Sequence, residues 1–353
     1  MDVSQVIAAI DWVVVHRNDD PANPIRVLNL SYGTDGTQNY LIDPLTHAVE
    51  NAWRAGIVVV VAGGNSGTAA PRLNDPAYDP YVLAVGASDT RGTLSANDDL
   101  VPDFSSRGDA ARRVDLVAPG RSIVSLRDPG SYIDVAYPSA RVGSRFFKGS
   151  GSSQAAAVTS GAVALLLQSR PELTPDQVKD ILRGSAEAMP NADSAGRGSG
   201  ELDVFAASLR AKTLTKQAWP RSTGLGSIEQ ARGTQHVADG DVDLAGEQDV
   251  LGPWDAAAWA PASAAFAGWT GGQWAGGDWS GTCWCATSWT GRSWAGRSWA
   301  GRSWAGEAWA GRSWAGRSWA GGAWTGRSWA GRSWAGDGWS GRSWAGAGWG
   351  RDG

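Results

Sequence analysis

The chain has 353 residues, a formal net charge of −4, 48 glycines, 22 tryptophans and two cysteines. That length accommodates a domain with a buried core plus a second segment. Two cysteines exclude a disulfide framework and a cysteine-based zinc site. No apolar run reaches the roughly 18 residues of a membrane-spanning helix, and the charge balance gives no basis for nucleic-acid binding.

At the N-terminus Val3, Val6, Ile7, Ile10, Val13 and Val14 recur at helical spacing behind Asp2, which is placed to cap, so a helix is predicted from the second residue. The acidic residues Asp2 and Asp11, without a basic n-region, make this stretch read as the inside of a domain and not as a signal peptide. After the polar loop "RNDDPANP", the segment "IRVLNL" reads as a strand ending at "SYG". Asp43, Pro44 and Gly56 bracket a second helix over about 44–55. "IVVVVA" is a continuous β-branched run of the kind found in strands buried on both faces, and it stops at "GGNSG". "YVLAVGA" and "VDLVA" read as further short strands, punctuated by "FSSRG" and "PG". The alternation predicts an α/β fold, an open and mostly parallel sheet flanked by helices. Polar loops at the strand ends are then the expected site positions.

The run from Ser153 to Gln168 is apolar all round, which suits a helix through the middle of the domain. Thr174 and Gln177 form a capping box for the next helix, with Pro175 in its first turn. "GSGELDVFAAS" is a last short element, so the globular portion is read as 1–210. Residues 211–250 have no periodicity and contain the acidic patch "DGDVDLAGEQD", which reads as a linker and lacks the spacing of an EF-hand loop. The pair Gly224 and Gly226 follows no predicted strand, which argues against a dinucleotide loop.

From 251 to 353 aliphatic residues almost vanish. Nine arginines against five acidic residues make this tail about +4 and leave the rest of the chain at about −8. Seventeen tryptophans stand at strict five-residue spacing from Trp269 to Trp349, mostly as W-A-G-R-S. Five helical residues leave successive tryptophans offset by about 140°, and an odd period in a strand puts them on alternate faces. Neither element gathers them on one side. A coil or solenoid turning at a glycine in each pentad and a flexible low-complexity tail both stay open. Cys283 and Cys285, one residue apart, would close a strained ring, leaving intermolecular pairing or free thiols as the alternatives.

The order "LNLSYG", "VVVVAGGNSG", "FSSRG", "DLVAPG", "GSGSSQAAAV" resembles the subtilisin-like serine peptidases, the subtilases. Residues 1 to about 207 are similar to the C-terminal two-thirds of that family's catalytic domain. The resemblance implies that Ser153, in Gly151-Ser152-Ser153-Gln154-Ala155, is the nucleophile and that Asn65 is the side-chain oxyanion donor. It further implies that Ser31, Tyr32 and Gly33 pair with the substrate backbone and that Ala62, Gly63 and Gly64 wall the specificity pocket. The two glycines there are expected to leave room for a sizeable side chain. The physical reading of Ser153 agrees, since a helix N-terminus offers unpaired N–H groups and a positive dipole end to a developing oxyanion.

Departures from the family pattern are Ala157 where proline is usual and Thr159-Ser160-Gly161 where Val-Ala-Gly is usual. A larger one concerns activation. A serine hydroxyl needs a base and the base an orienting carboxylate, and in this family both precede the "LNLSYG" strand in D-[ST]-G and H-G-T-H segments that this chain lacks. His16, His47 and His236 adjoin no family motif and read as ordinary helix-end, helix and linker histidines. Two expectations follow. One is a serine endopeptidase seen as an N-terminally incomplete chain, which would act on peptides or proteins. The other is a non-catalytic relative that binds a cell-wall polymer or protein through its tryptophan repeat. The resemblance also implies calcium as a possible ligand, with no metal-ligating residues assignable, and a secreted or cell-surface location.

Overall fold

The computed structural model of the protein describes residues 2–70, 72–213, 216–239 and 242–278, together with strand residues of the tail between 303 and 345. Helix α1 (Val3–Val15) begins at the predicted cap. The Asp2 carboxylate accepts from the Ser4 amide at 2.9 Å, and the Asp2 N–H donates to Gln5 Oε1 at 2.9 Å. Strand β1 (Val27–Leu30), helix α2 (Pro44–Arg54) capped by Asp43, and strands β2 (Val58–Ala62), β3 (Leu83–Ser88) and β4 (Leu116–Pro119) follow. The four strands are parallel and stand in the order β1-β2-β3-β4, with Val27 opposite Val58, Val60 opposite Leu83 and Val85 opposite Leu116. Every residue of β2 and β3 is buried, as their apolar runs predict for a sheet covered on both faces.

Beyond β4 the chain forms β5 (Ile123–Leu126), α3 (Tyr132–Ala136), β6 (Arg141–Val142) and β7 (Phe146–Gly149). These strands make a separate antiparallel sheet ordered β5-β7-β6. The long helix α4 (Ser152–Ser169) crosses all four parallel strands, and α5 (Pro175–Ser185) carries the predicted Thr174–Gln177 capping box. Helix α6 (Val204–Leu209) packs on α4 and α5. The outer edge of β4 is covered, because Val117 donates to the Gly200 carbonyl and accepts from the Leu202 amide, each at 2.9 Å. β1 is the other edge, and Val27, Leu28 and Asn29 on it are only half-buried.

Helix α4 departs from expectation in one respect. Its apolar surface continues all round, yet only one side is covered: Ala157, Val158, Gly161, Ala164 and Leu165 face outward, with Leu165 59% exposed. No helix among the described residues is long and apolar enough to cross a membrane.

The described residues of the segment expected to be a linker, 211–250, pack against the body. Helix α7 (Ile228–Arg232) buries Ile228 and Ala231, and the fully buried Arg232 pairs with the equally buried Asp2 at 2.6 Å and donates to the Gln248 carbonyl at 2.7 Å. Ser222 donates to the Asp43 carbonyl at 2.8 Å. The segment's buried apolar residues, Ile228, Ala231, Val237, Leu244 and Val250, stand at irregular intervals among single polar contacts, so it has no apolar period for the sequence to reveal.

Residues 251–278, the beginning of the tryptophan-rich tail, dock in the same manner. Helix α8 (Ala256–Ala264) lies on α2. The buried Asp11 of α1 accepts from Trp259 Nε1 at 2.7 Å, Trp274 Nε1 at 2.9 Å and Ser263 Oγ at 2.6 Å. Burial pushes the Asp11 carboxyl up, and these three donors work against that rise. Trp269 Nε1 reaches the Ala8 carbonyl at 2.7 Å, and Arg17 and Arg54 lie over the Phe266 ring at 5.1 and 5.3 Å.

Further along, short parallel strands pair at a fixed interval of fifteen residues, three pentads. Trp304 stands opposite Trp319 and Trp319 opposite Trp334; Trp309, Trp324 and Trp339 form a second ladder, and Trp314, Trp329 and Trp344 a third. Cys283 and Cys285 lie outside the described residues.

Asp11→Ala leaves three buried donors without an acceptor, each worth about 1–3 kcal/mol. The expected result is a loss of roughly 3–5 kcal/mol in urea unfolding, together with faster proteolysis between 251 and 278. An unchanged midpoint would show that the docked tryptophans do not depend on this carboxylate.

Candidate active site

The predicted site residues come from the C-terminal ends of β1 and β2 and from the N-terminus of α4, the arrangement an open parallel sheet offers for a site. Gly151 precedes α4 and is pinned by its N–H to the Gly120 carbonyl at 2.8 Å. Ser153 then sits in the first turn of α4, 6% exposed. There the N-terminal amides and the dipole of an 18-residue helix favour negative charge.

Asn65 meets this turn through Ser152. The Ser152 amide donates to Asn65 Oδ1 at 2.7 Å and its hydroxyl donates to the same oxygen at 3.0 Å, while Ser152 Oγ accepts from the Gly64 amide at 3.2 Å. A backbone N–H can only donate, so the end of the carboxamide facing Ser152 must be its oxygen. The Nδ2 end is thereby turned away from Ser152 as a donor, and Gly151 lies beside it: a Cβ there would stand 3.4 Å from Asn65 Nδ2.

Ser31 follows β1 and donates to the Ser153 carbonyl at 2.9 Å while accepting from Asn29 Nδ2 at 2.9 Å. Asn29 Oδ1 in turn accepts from Ser160 at 2.9 Å, which gives the unusual serine of the Thr159-Ser160-Gly161 segment a partner across the sheet. The Tyr32 side chain is 6% exposed and its hydroxyl pKa is driven up by burial, so the contact it offers a ligand is its backbone. Thr34 exchanges two hydrogen bonds with Asp75, and a Cβ on Gly33 would stand 3.0 Å from both Asn74 Cβ and the Asp75 carbonyl oxygen. A side chain there would have to push these neighbours aside by a few tenths of an ångström.

On the side where a Cβ would stand, Gly63 and Gly64 are closely packed. Gly63 donates to the Val85 carbonyl at 2.8 Å, and a Cβ on it would meet Val114 Cγ1 at 2.8 Å. Gly64 has φ +114°, and its Cβ would come within 2.5 Å of Asn74 Oδ1 and 2.8 Å of Ser106 Oγ. These glycines bring the Asn65 loop close to its supports.

Three supports escaped the sequence reading. Ser152 orients Asn65. Ser106 accepts from the Ser66 amide at 3.2 Å and donates its own N–H to the Gly64 carbonyl at 3.1 Å, which fastens the far side of the same loop. Glu201 accepts from Ser88 Oγ at 2.9 Å, and the Ser88 carbonyl receives the Gly120 and Arg121 amides that lead to Gly151. The serines lie inside motifs the sequence singles out, but Glu201 carries no local signal.

The three histidines hold other positions. His16 stacks on Trp12 with ring centroids 4.2 Å apart. His47 bridges the Ser222 and Ala260 carbonyls at 2.8 and 3.1 Å, and His236 contacts Glu229 at 2.9 Å. Calcium prefers a cage of six to eight oxygens; among the described residues no three His, Cys, Asp or Glu side chains converge to hold a metal.

A family model described as "Subtilase family" matches residues 1–226. The serine protease AprX of Bacillus subtilis is 40% identical over 207 residues, covering 57% of this chain and 47% of that protein. The minor extracellular protease Epr of the same organism is 31% identical over 182 residues, covering 52% of this chain and 23% of that protein. The chain therefore spans less than half the length of either relative. Fervidolysin from Fervidobacterium pennivorans, titled a keratinolytic enzyme related to subtilisin, is 26% identical with a TM-score of 0.45, covering 66% of this chain and 30% of that one.

Burial pushes the Glu201 carboxyl up to about 8, against the hydrogen bond from Ser88, which favours the charged form. A carboxyl raised in the folded state stabilises the fold fully below its unfolded value near 4.5, and that contribution is lost as pH rises through about 8. Glu201→Gln is expected to match the parent in urea unfolding at pH 4 and to exceed it at pH 9. Equal midpoints at both values would remove Glu201 from the pH dependence.

Proposed function

Because the chain belongs to the subtilase family, we propose that it is part of a serine endopeptidase acting by acyl transfer, with peptides or proteins as substrates. Ser153 Oγ attacks the scissile carbonyl carbon and gives its proton to a base. The carbonyl oxygen becomes an oxyanion held by Asn65 Nδ2 at the positive N-terminal end of α4. Collapse of the tetrahedral intermediate breaks the C–N bond, the departing amine takes the proton from the base, and water then releases the acyl group from Ser153. Ser31, Tyr32 and Gly33 align the substrate backbone, and Ala62, Gly63 and Gly64 line its neighbouring side chain. The observation that supports this reading is the 2.7 Å hydrogen bond from the Ser152 amide to Asn65 Oδ1, which holds the Asn65 carboxamide beside the turn that bears Ser153.

The base and its carboxylate, on this reading, belong to polypeptide outside the present sequence. The half-exposed edge strand β1 and the outward apolar face of α4 around Val158 and Leu165 support this, since such a surface is what a further part of the domain would cover. The extracellular relative favours action outside the cell.

The test is fluorophosphonate labelling. The 353-residue chain alone is expected to label at background level, whereas the chain extended by its upstream coding sequence should label at Ser153 and lose that label in Ser153→Ala. In the extended chain Asn65→Ala should lower kcat by about 10²–10³-fold with little change in KM, the range produced in this family by loss of one oxyanion donor. Strong labelling of the short chain would overturn the missing-base reading, and an unlabelled extended chain would overturn the peptidase reading itself.

A further inference from the structure

A cavity of about 790 Å³ opens between α5, the loop before β4 and the segment around Arg72, away from the Ser153 turn. That volume suits a small-molecule ligand. Five cationic side chains line it, Arg72, Arg112, Arg113, Lys179 and Arg183, against one carboxylate, Asp115.

Asp115 is already fully engaged. Arg112 forks onto it at 3.1 and 2.9 Å, the Ala84 amide donates at 2.9 Å, and Lys179 and Arg183 stand at 3.4 and 3.6 Å. Burial alone would push its carboxyl up, but Arg112 and Lys179 hold it down at about 2, so its single negative charge persists. Further carboxylates lie behind the wall, Asp79 near Arg112 and Lys179 and Asp193 near Arg113, but none of them lines the cavity. Burial pulls the Lys179 ammonium down to about 8, with Asp115 and Asp79 opposing and Arg112 and Arg183 adding to the fall. At the rim, Asp109 is occupied by the Tyr78 hydroxyl at 2.9 Å.

Two donors within this wall lack acceptors. Arg72 Nε and Arg112 Nε are buried, with no hydrogen-bond partner among the described residues. Arg72 otherwise donates to the Gly36 and Gln38 carbonyls at 2.7 and 3.1 Å and lies over the Tyr78 ring at 4.3 Å, so its guanidinium is fixed in place. Buried guanidinium N–H groups are rarely left unsatisfied. Fixed guanidinium groups are also the side chains best matched to planar or tetrahedral oxyanions.

We propose that this cavity is a binding site for a multivalent oxyanion, a phosphate or polycarboxylate of small-molecule size. The anion would accept from the arginine wall, and the exposed Arg113 and Arg183 would close over it. Asp115 and Lys179 would fix the wall from beneath. The site is independent of acyl transfer at Ser153.

The test is isothermal titration calorimetry on the full 353-residue chain with pyrophosphate, with citrate, and with sodium chloride at matched ionic strength. Binding of either anion above the chloride control is expected, and which of the two binds more tightly distinguishes a phosphoryl from a carboxylate ligand. Arg113→Gln with Arg183→Gln should weaken that binding by about tenfold or more, while Lys212→Gln, outside the cavity, should leave it unchanged. Should the double variant not fold, Arg183→Ala alone, at a side chain 52% exposed, serves with the same readout. Heats indistinguishable from chloride, or equal affinity in the cavity variants and the parent, would overturn the proposal.

Discussion

The hydrogen bond from the Ser152 amide to Asn65 Oδ1 joins the end of β2 to the start of α4, and the geometry of the site depends on it. It uses one of the amides that a helix start leaves without an intrahelical partner. It also fixes the Asn65 carboxamide with its oxygen toward Ser152. The surrounding contacts keep this bond in register. Gly64 and Ser106 hold the Asn65 loop, and Gly120 holds Gly151. The glycines at 63 and 64 permit the approach, because Val114, Asn74 and Ser106 fill the space a side chain would need.

Elsewhere the fold is closed by buried polar groups with distant partners. Asp2 and Arg232 are wholly buried together, Asp115 lies beneath Arg112 and Lys179, and Asp11 gathers two indoles and a hydroxyl. Breaking one partner of a buried ion pair costs about 3–5 kcal/mol, because the other charge is left unpaired. Such contacts add less net stability than apolar packing of the same volume, but they fix where a chain segment must lie. They thereby make the described residues between 211 and 278 part of the body. One edge of the sheet is closed by residues 200–202, whereas the β1 edge and the outer face of α4 are open among the described residues.

The tail illustrates how far a repeat can be read from its spacing. A five-residue period suits neither a helix face nor a strand face, which leaves a solenoid and an unstructured tail as alternatives. Among the described strand residues Trp304, Trp319 and Trp334 pair in parallel at intervals of three pentads. Trp254 and Trp259 share the five-residue phase of Trp269 and Trp274, so the spacing begins within the segment docked on α1 and α2.

The sequence by itself determined the elements that rest on local chemistry. The caps at Asp2, Asp43 and Thr174, the buried strands "VVVVA" and "LAVGAS", and the apolar helix behind Ser153 all carry their signal within a few residues. The order of motifs added the identity of Ser153 and Asn65 as candidates. Only the tertiary structure decided what joins them. Ser152 to Asn65 spans 87 residues, Ser88 to Glu201 spans 113, Trp259 to Asp11 spans 248 and Arg232 to Asp2 spans 230. A contact between single polar side chains at such separation leaves no periodicity in the chain. It exists once packing excludes water and each buried donor must find its acceptor.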